Sequence, residues 1–595
     1  MSVSVDADTI RKAKLLRNGR RRTPGDEGSF NLFNLLVRAD RASPLVPANR
    51  EGCLDAKFRR LFRRPAVALN CATVAPNGKR LMQENLIHFS SIARLAKDSA
   101  LQRFRNLRWT RGRITDSTPT VHFFALKLTL AFFVVCYLTL AGCSGTVVRQ
   151  SAGSGSAQAQ TATVNWTDVH QIIDGFGASD AFQGGSTTSA NQALFFGTGP
   201  GQLGYSILRV SVPSGNGTYS PGDCTSVGTS CAGLYVADMQ AAVSYGARVI
   251  ASSWTPPASY TTNGSTNCSS DSGLATGSYA NYATWLANYI QTLAAQSPSI
   301  PVYALSIQNE PNLCGTNSAY WSASQIDTFI KSNLGPTFAS DGITTLIAMP
   351  ETNGYNNGGS QFATYGGTCG TDSSCTGYVG MYNWHDYDAS LSGTNTVTAD
   401  PYPSGWATGK KYWETEASCG SGFGPTFCES GYNTDITDGL DWGAVIDQRI
   451  AGDNANAWLY WWLYFTNPTD DEGLTDGNGN VAARGYVLAQ YSKFVRPGCY
   501  RIDATRQPQS GVSVSAYQNT ATSTLVIIAT NYTGSAVSQT FAITNAPTFS
   551  TLTPTITSAS LNLATQSNVS VSGNSFTYTL PADSITTFVG SASIP

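Results

Sequence analysis

Two glutamates stand where short strand-like stretches of this sequence end. The apolar stretch VYALSI at 302–307 runs into QNEP, and Pro311 must end any strand because proline has no N–H to donate. The stretch at 410–417 likewise carries Glu416 at the end of a strand-like run. A carboxylate such as Glu310 or Glu416 at the end of a buried strand is costly unless it is paired or used in chemistry. Two carboxyl groups of this kind are the minimum that a retaining glycoside hydrolase needs, so the pair predicts that chemistry.

Strand-like runs that could position these glutamates recur along the middle of the chain. Between residues 164 and 488 there are eight: 175–181, 205–212, 247–254, 302–310, 344–350, 379–385, 411–416 and 457–464. Amphipathic stretches such as 279–296 and 322–332 separate several of them, which indicates parallel βαβ units. Eight such units predict a (β/α)8 barrel, whose chemistry lies at the carboxyl ends of its strands. Glu310 would end the fourth strand and Glu416 the seventh.

The texture of the sequence changes after residue 500. Short runs alternate apolar and polar residues with turn residues between them, and no helical period appears. This pattern predicts a small antiparallel β-sandwich at 500–595 beside a barrel at 161–499. A strand near 162–166 precedes the barrel, and we expect it to join the sandwich.

The first 120 residues differ in charge from the rest of the chain. They hold 24 of the 37 Lys and Arg but only 10 of the 38 Asp and Glu. Their composition predicts a disordered or non-native extension rather than a nucleic-acid-binding arm. The remainder is acidic, which argues against binding of nucleic acid through its phosphates.

An apolar run at 123–142 is long enough to span a bilayer. It ends in Leu-Ala-Gly before Cys143, which resembles the lipobox of bacterial lipoproteins, where the cysteine is lipidated and becomes the first mature residue. An ordinary signal peptide or a membrane anchor is the alternative. With the Ser/Gly linker at 144–160, the run predicts a lipid-anchored protein at the cell surface or periplasmic face. A signal usually starts near the initiator, so we expect translation to begin downstream of Met1.

Cysteine spacing after Cys143 indicates an oxidising compartment. Of the nine cysteines there, six form close pairs at 224/231, 369/375 and 419/428, which suit small loop-closing disulfides. The partners of Cys268, Cys314 and Cys499 stay open. No CxxC occurs and only two histidines follow the linker, so we expect neither a metal nor a cofactor.

From about residue 164 the chain resembles glycoside hydrolase family 30. The matching motifs, in order, are IDGFG at 173–177, SWTPP at 253–257, NEP at 309–311, WHDY at 384–387 and TEA at 415–417. The resemblance implies a (β/α)8 barrel with a β-sandwich built from both chain ends. It also implies a retaining β-glycosidase with its acid/base after strand four and its nucleophile after strand seven. Members include xylanases, β-1,6-galactanases, β-1,6-glucanases and glucosylceramidases.

The resemblance gives roles to individual side chains. Glu310 corresponds to the general acid/base, with a salt-bridged strand-end carboxylate as the alternative. Glu416 corresponds to the nucleophile, and its rival Glu414 lies two residues earlier on the same face of the strand. The Ala-Ser that follows favours Glu416. Asn309 would bind the sugar 2-hydroxyl, and a turn-stabilising asparagine is the alternative.

Further side chains would complete the site. Arg209 resembles the family's arginine near the catalytic carboxylates. His385 and Tyr387 would orient the nucleophile, although a buried, satisfied histidine is an alternative for His385. Three tryptophans could stack on sugar rings: Trp254, Trp461 and Trp462. Because Trp461 and Trp462 are adjacent on a strand, only one of them should face inward.

These residues predict a monomeric endo-β-1,4-xylanase acting on plant cell-wall polysaccharide. A β-1,6-galactanase, a glucosylceramidase-like enzyme and a non-catalytic carbohydrate-binding protein are the alternatives. Glucuronoxylanases of the family hold a methylglucuronate branch with an arginine soon after strand eight. Here no Arg or Lys follows that strand before Arg484, and the loop carries acidic residues at 470–472. We therefore predict that hydrolysis does not depend on glucuronate branches.

Overall fold

A computed structural model describes residues 160–592, except 184–186, 215–235, 357–360, 394, 421–423, 429–430, 466–470 and 477. The basic extension at 1–120, the apolar run with Cys143, the linker up to residue 159, and the pair Cys224 and Cys231 lie outside the described residues. Within the described part of the chain, no helix has the length and apolar character needed to cross a membrane.

Eight parallel strands close into a barrel, and their circular order is the order of the sequence. They are β2 (Gly175–Ser179), β3 (Ile207–Val212), β4 (Arg248–Ser253), β5 (Val302–Ser306), β6 (Leu346–Thr352), β7 (Val379–His385), β10 (Lys411–Glu416) and β11 (Ala457–Trp462). Each one overlaps one of the eight strand-like runs of the sequence. Both faces of these strands are buried, which is why a strand such as β11 (AWLYWW) reads as a continuous apolar run. A separate hairpin pairs β8 (Leu391–Ser392) with β9 (Thr396–Val397).

Helices cover the outside of the barrel. In the described residues they are α1 (Ser189–Phe196), α2 (Val236–Ser244), α3 (Tyr279–Ala294), α4 (Ala323–Phe329), α5 (Gly335–Ser340), α6 (Gln361–Gly370), α7 (Ser373–Thr376), α8 (Ile436–Asp447) and α9 (Ala483–Ser492). Helix α3 turns Tyr282, Leu286 and Ile290 inward at helical spacing, and each such large apolar side chain contributes roughly 1.5–3 kcal/mol by its burial. Helix α4 begins at a capping box between Ser322 and Gln325.

The remaining strands form one ten-stranded, mostly antiparallel sheet beside the barrel. They are β1 (Ala162–Ile172), β12 (Tyr500–Ala504), β13 (Val512–Asn519), β14 (Thr524–Asn531), β15 (Val537–Thr544), β16 (Thr551–Ser558), β17 (Leu561–Thr565), β18 (Val569–Ser570), β19 (Ser575–Leu580) and β20 (Ser584–Ser591). The closed barrel with this sheet domain confirms the predicted fold class.

Strand β1 departs from the antiparallel expectation. It pairs with β12 in the antiparallel sense but with β15 in the parallel sense. A strand that arrives from the distant N-terminal side of the barrel is not held by a hairpin, so its direction relative to β15 is free of the constraint that hairpins impose.

Disulfides brace several of the loops. The predicted pairs Cys369–Cys375 and Cys419–Cys428 are confirmed. Cys268 and Cys314, which the sequence left open, also form a disulfide, and it joins the loop after β4 to the loop after β5. Cys499 is a buried free thiol.

The two glutamates emerge differently from their strands. Glu416 is the last residue of β10, as predicted. The predicted strand 302–310 is too long, because β5 ends at Ser306 and Glu310 lies four residues beyond it with a φ of 45°. The Glu310 N–H donates to the carbonyl of Glu351 at 2.9 Å, outside the regular ladder. A left-handed residue at this point turns the chain back over the barrel mouth.

Candidate active site

A cavity opens at the carboxyl ends of the barrel strands. Its volume is about 580 Å³, and it is lined by Trp254, Asn309, Glu310, Leu313, Asn353, Tyr387, Glu416, Gly424 and Trp461. Six of these nine residues are ones that the sequence had singled out. The barrel brings them together because they follow different strands that all end at the same rim.

Glu416 is held from two sides. Arg209, at the third position of β3, places its Nη1 atom 2.5 Å from Glu416 Oε2. The Tyr387 hydroxyl donates to Glu416 Oε1 at 2.8 Å. With both oxygens engaged, the carboxylate has a fixed orientation toward the cavity.

Glu310 is more open than Glu416, with 18% of its side chain exposed. Its Oε1 atom accepts a hydrogen bond from Asn353 Nδ2 at 2.6 Å and lies 3.0 Å from His385 Nδ1. Carboxylate oxygens of Glu310 and Glu416 approach within 4.8 Å of each other, with the ring of His385 as a common neighbour. The site therefore presents two carboxyl groups face to face across a short gap.

His385 is fully buried among acidic side chains. Burial opposes its protonation, but the carboxylates of Glu416, Glu310 and Glu351 outweigh burial and raise its pKa to about 10. The imidazole is therefore a cation at neutral pH. His385 is thus buried, as one of the two interpretations of the sequence expected, and it also contacts Glu310 and Glu416.

The carboxyl of Glu416 experiences opposing influences. Burial raises its pKa, and the neighbouring Glu310 acts in the same direction. The positive charges of His385 and Arg209 and the hydrogen bond from Tyr387 oppose that rise. Cationic neighbours are thus what favours the ionised form of this buried carboxyl.

Glu414, the rival of Glu416, is on the same strand but does not line the cavity. Its carboxylate accepts hydrogen bonds from the backbone N–H groups of Glu416 at 2.8 Å and Leu459 at 3.0 Å. It is fully buried, and burial raises its pKa well above the usual range. Glu414 therefore joins the end of β10 to the middle of β11.

Asn309 is hydrogen-bonded to residues of β3 and β4. Its Oδ1 atom accepts from Arg209 Nη2 at 2.7 Å, and its own backbone N–H donates to the carbonyl of Ser253 at 2.6 Å. Since the amide oxygen is engaged by Arg209, the amide nitrogen is the group left for the cavity that Asn309 lines.

Aromatic rings form one wall of the cavity. Trp254 and Trp461 line it, and the guanidinium of Arg209 lies 4.5 Å from the centre of the Trp254 ring. Trp462 does not line it: its indole N–H donates to the carbonyl of Ala181 at 2.7 Å and its ring stacks on Trp461. The expectation that only one of the adjacent tryptophans faces inward thus agrees with these positions, and Trp462 supports Trp461 from behind.

A buried arginine supports the segment that carries His385 and Tyr387. Asp386, between them, binds Arg449 through both carboxylate oxygens at 2.8 Å. Arg449 also binds Asp400 at 2.8 Å and Asp453 at 2.7 Å, and its side chain is fully buried. Such a bidentate pair fixes the direction of the backbone on either side of Asp386.

Sequence reasoning missed several residues at this site. Glu351 lies near the end of β6 and Asn353 directly follows that strand, in the run PETN. Phe182 follows β2 with a φ of 63° and packs edge-on against Trp254. The signal for Glu351 was available, because a glutamate directly after a strand-like run is the pattern that identified Glu310. Asn353 had no such signal, since its role depends on a contact with a residue from another strand.

Three groups of described side chains bring possible metal ligands within 4.8 Å of one another: Asp327 with Cys369 and Cys375, Asp386 with Asp388 and Asp400, and Glu310 with His385 and Glu416. The cysteines of the first group form a disulfide and offer no thiolate. In the second group, Asp386 and Asp400 are ion-paired with Arg449, and Asp388 accepts hydrogen bonds from the backbone N–H groups of Tyr355 and Asn356. In the third group, protonated His385 has no lone pair for a metal.

Comparison with known proteins identifies relatives that match about three quarters of the chain. No family model matches the chain. The glucuronoxylanase XynC of Bacillus subtilis is 30% identical over 481 residues, which cover 78% of this chain and 98% of the relative.

Solved structures agree with that relationship. A GH30 endoxylanase from Clostridium papyrosolvens is 30% identical with a TM-score of 0.57, and the match covers 73% of this chain and 100% of that protein. A family 30, subfamily 8 xylanase from Clostridium acetobutylicum is also 30% identical, with a TM-score of 0.59 and the same coverage. The order of motifs, the barrel with its sheet domain and these relatives lead to one conclusion: the chain belongs to glycoside hydrolase family 30.

Proposed function

We propose that this protein is an endo-β-1,4-xylanase that works by double displacement with retention of anomeric configuration. The observation that carries the proposal is the approach of Glu310 and Glu416 to within 4.8 Å in one cavity. Retaining enzymes hold their carboxyl groups about 5–5.5 Å apart, whereas inverting enzymes need about 6.5–9.5 Å to admit a water molecule.

Glu416 acts as the nucleophile in this mechanism. Its carboxylate attacks the anomeric carbon, and Glu310 gives its proton to the glycosidic oxygen as that bond breaks. The product of this step is a glycosyl ester on Glu416 and a carboxylate on Glu310. Glu310 then takes a proton from water, which attacks the ester and frees Glu416. Tyr387 and Arg209, which contact the Glu416 carboxylate, orient it for attack.

Xylan as the substrate is supported by the relatives and by the wall of the cavity. The relatives at 30% identity are named as a glucuronoxylanase, an endoxylanase and a xylanase. The faces of Trp254 and Trp461 suit the C–H faces of pyranose rings. The Asn309 amide, next to Glu310, is placed to bind a sugar hydroxyl.

Independence from glucuronate is supported by the charges around the cavity. Its described lining contains carboxylates but no Lys or Arg, and the undescribed segments between 184 and 477 carry none in their sequence. Arg484, the first cation after β11, is buried and ion-paired with Asp438 at 2.8 Å and Asp471 at 3.1 Å. A uronate branch therefore has no free cationic partner in this lining.

One set of assays tests the reaction and the substrate. We expect NMR of the first products from linear xylan to show the β-anomer, and we expect rates on glucuronoxylan and on arabinose-substituted or linear xylan to agree within about tenfold, or about 1.4 kcal/mol. An α-anomer would contradict retention. A hundredfold preference for glucuronoxylan would show that another group binds the branch. Turnover of β-1,6-glucan or arabinogalactan instead of xylan would reassign the substrate within the family.

We further propose that the mature protein begins at a lipidated Cys143 and acts at the bacterial cell surface or the periplasmic face. The apolar run, the Leu-Ala-Gly-Cys sequence and the linker that follows support this location. Intact-mass spectrometry of the native protein should give an N-terminus at Cys143 with diacylglycerol attached. A mature protein that starts upstream, or that carries an unmodified Cys143, would contradict the proposal.

A further inference from the structure

Glu351 is a third carboxylate of the site, buried below the two that face the cavity. It follows the cis peptide of Pro350 near the end of β6, has a φ of 54°, and its side chain is fully buried. It does not line the cavity, so it has no access to substrate. A bulky residue in the left-handed region at a barrel-strand end is a strained conformation that needs a reason.

Glu351 lies close to the two cations of the site, Arg209 and His385. Its Oε1 atom accepts a hydrogen bond from Ser252 Oγ at 3.0 Å and lies 3.2 Å from Arg209 Nη2. The same oxygen is 3.8 Å from His385 Nε2. Burial alone would raise the pKa of Glu351, but Arg209 and His385 lower it to about 2. Glu351 is therefore an anion at neutral pH.

Arg209 and His385 each connect Glu351 to the acidic pair above it. Arg209 reaches Glu416 through Nη1 at 2.5 Å, and His385 Nδ1 lies 3.0 Å from Glu310 and 3.7 Å from Glu416. Each cation is thus placed between the fixed anion below and the reacting carboxyls above. Other charged or titratable groups that face His385 are Glu414 below it and Tyr387 on its own segment.

We propose that Glu351 is a positioning residue that supplies the balancing negative charge for Arg209 and His385, so that His385 stays protonated through both steps of the reaction. The proposal rests on the proposed double displacement. It adds a residue that never touches the substrate.

Charge counting explains why such a residue is needed. Before the first step Glu416 is ionised and Glu310 is protonated; in the glycosyl-enzyme, Glu416 is an ester and Glu310 is the carboxylate. The pair therefore carries a single negative charge at each stage, while Arg209 and His385 carry two positive ones. Glu351 brings the buried group to neutrality at every stage, and an unbalanced buried charge is strongly unfavourable.

The position of His385 makes this balance useful. Its Nδ1–H faces the oxygens of both reacting glutamates, so it can donate to whichever of them is the carboxylate. Without Glu351 the group would carry an excess positive charge, and the group able to relieve it is His385, by losing its proton. The donor to the reacting pair would then be lost.

The test is the titration of His385 in protein labelled with ¹⁵N-histidine. The partly exposed His170, in β1, serves as an internal reference. In the unsubstituted protein we expect the His385 imidazole to stay protonated to about pH 10. In Glu351→Gln, which keeps the shape and can still accept from Ser252, we expect its pKa to fall by at least one unit, a shift worth about 1.4 kcal/mol. We expect kcat of this variant to fall over the pH range in which His385 loses its proton.

Two further variants separate charge from structure. Ser252→Ala removes a neutral hydroxyl that donates to Glu351 and accepts from Arg209 Nε at 3.1 Å, and it changes no charge. It should leave the His385 titration within about 0.3 unit of that of the unsubstituted protein. Glu351→Asp keeps the charge but withdraws it, so the pKa should fall by less than in the glutamine variant. Should Glu351→Gln fail to fold, the aspartate variant alone carries the test.

An unchanged His385 titration in a folded Glu351 variant would overturn the proposal, as would an equal shift in Ser252→Ala. Because the titration needs no substrate, this result is independent of whether the enzyme cleaves xylan. A failure of the proposed function would appear in the product assays, and a failure of this inference would appear in the NMR titration.

Discussion

Replacing Glu416 with alanine is expected to lower kcat/KM on xylan by about 10⁴-fold or more, or about 5.5 kcal/mol of transition-state stabilisation. Without this carboxylate no glycosyl ester can form. The loss leaves a gap beside Arg209 and Tyr387, which both bind the missing oxygens. Azide should enter that gap, attack the α-face and restore part of the rate on an activated aryl β-xyloside. The product should be the α-glycosyl azide, whose configuration is inverted relative to the β-xyloside and can be identified by NMR.

Glu414→Ala is the matched control, because it removes a carboxylate two residues away on the same strand. Glu414 accepts from two backbone N–H groups and does not line the cavity, so azide has no route from its position to the substrate. We expect this variant to lose stability, measured as a lower midpoint of thermal unfolding, and to show no azide product. A glycosyl azide from Glu414→Ala, and none from Glu416→Ala, would exchange their roles.

The sequence was sufficient for the barrel because its strand-like runs are short and regularly spaced, and most of them are separated from the next by a helix. That periodicity is local, so it can be recognised without knowing the fold. The direction of β1 relative to β15 is not local: it depends on where the chain enters the sheet. For the same reason the Cys268–Cys314 disulfide was left open, since it joins loops that only the closed barrel brings together.

The residues of the candidate site also differ in whether the local sequence could identify them. Glu310 and Glu416 carry a strong local signal, and the family resemblance added Arg209 and Tyr387. The predicted end of the fourth strand was wrong by four residues, because the turn at Glu310 is stabilised by the carbonyl of Glu351 in the neighbouring strand. A pairing between two strand ends has no pattern in either stretch of sequence.

His385 shows why function and burial were hard to separate in advance. A buried histidine usually implies a satisfied, neutral ring, and the sequence offered no means of counting its acidic neighbours. In the structure the imidazole lies within 4 Å of carboxylates from three other strand ends. Its charge is therefore a property of the assembled barrel rather than of the WHDY segment.

Replacing Glu310 with alanine should produce a loss that depends on the leaving group. On xylan, where the departing sugar hydroxyl must be protonated, we expect kcat/KM to fall by about 10²–10⁴-fold. A dinitrophenyl β-xyloside needs no acid, so its first step should slow by less than about tenfold. The second step still lacks its base. The glycosyl-enzyme should therefore accumulate, as a burst of dinitrophenolate followed by slow turnover.

Glu310→Gln is the matched variant, because it keeps a group that can contact Asn353 and His385 but has no proton to give as an acid. If Glu310 acts as the acid/base, both variants should show the same dependence on the leaving group, and intact-mass spectrometry should detect the trapped glycosyl ester on Glu416. If Glu310 only holds His385 in place, the glutamine variant should retain most of its activity on xylan, and both substrates should slow equally in the alanine variant. The ratio of the rates on xylan and on the dinitrophenyl β-xyloside thus shows whether Glu310 is the acid/base or only holds His385 in place.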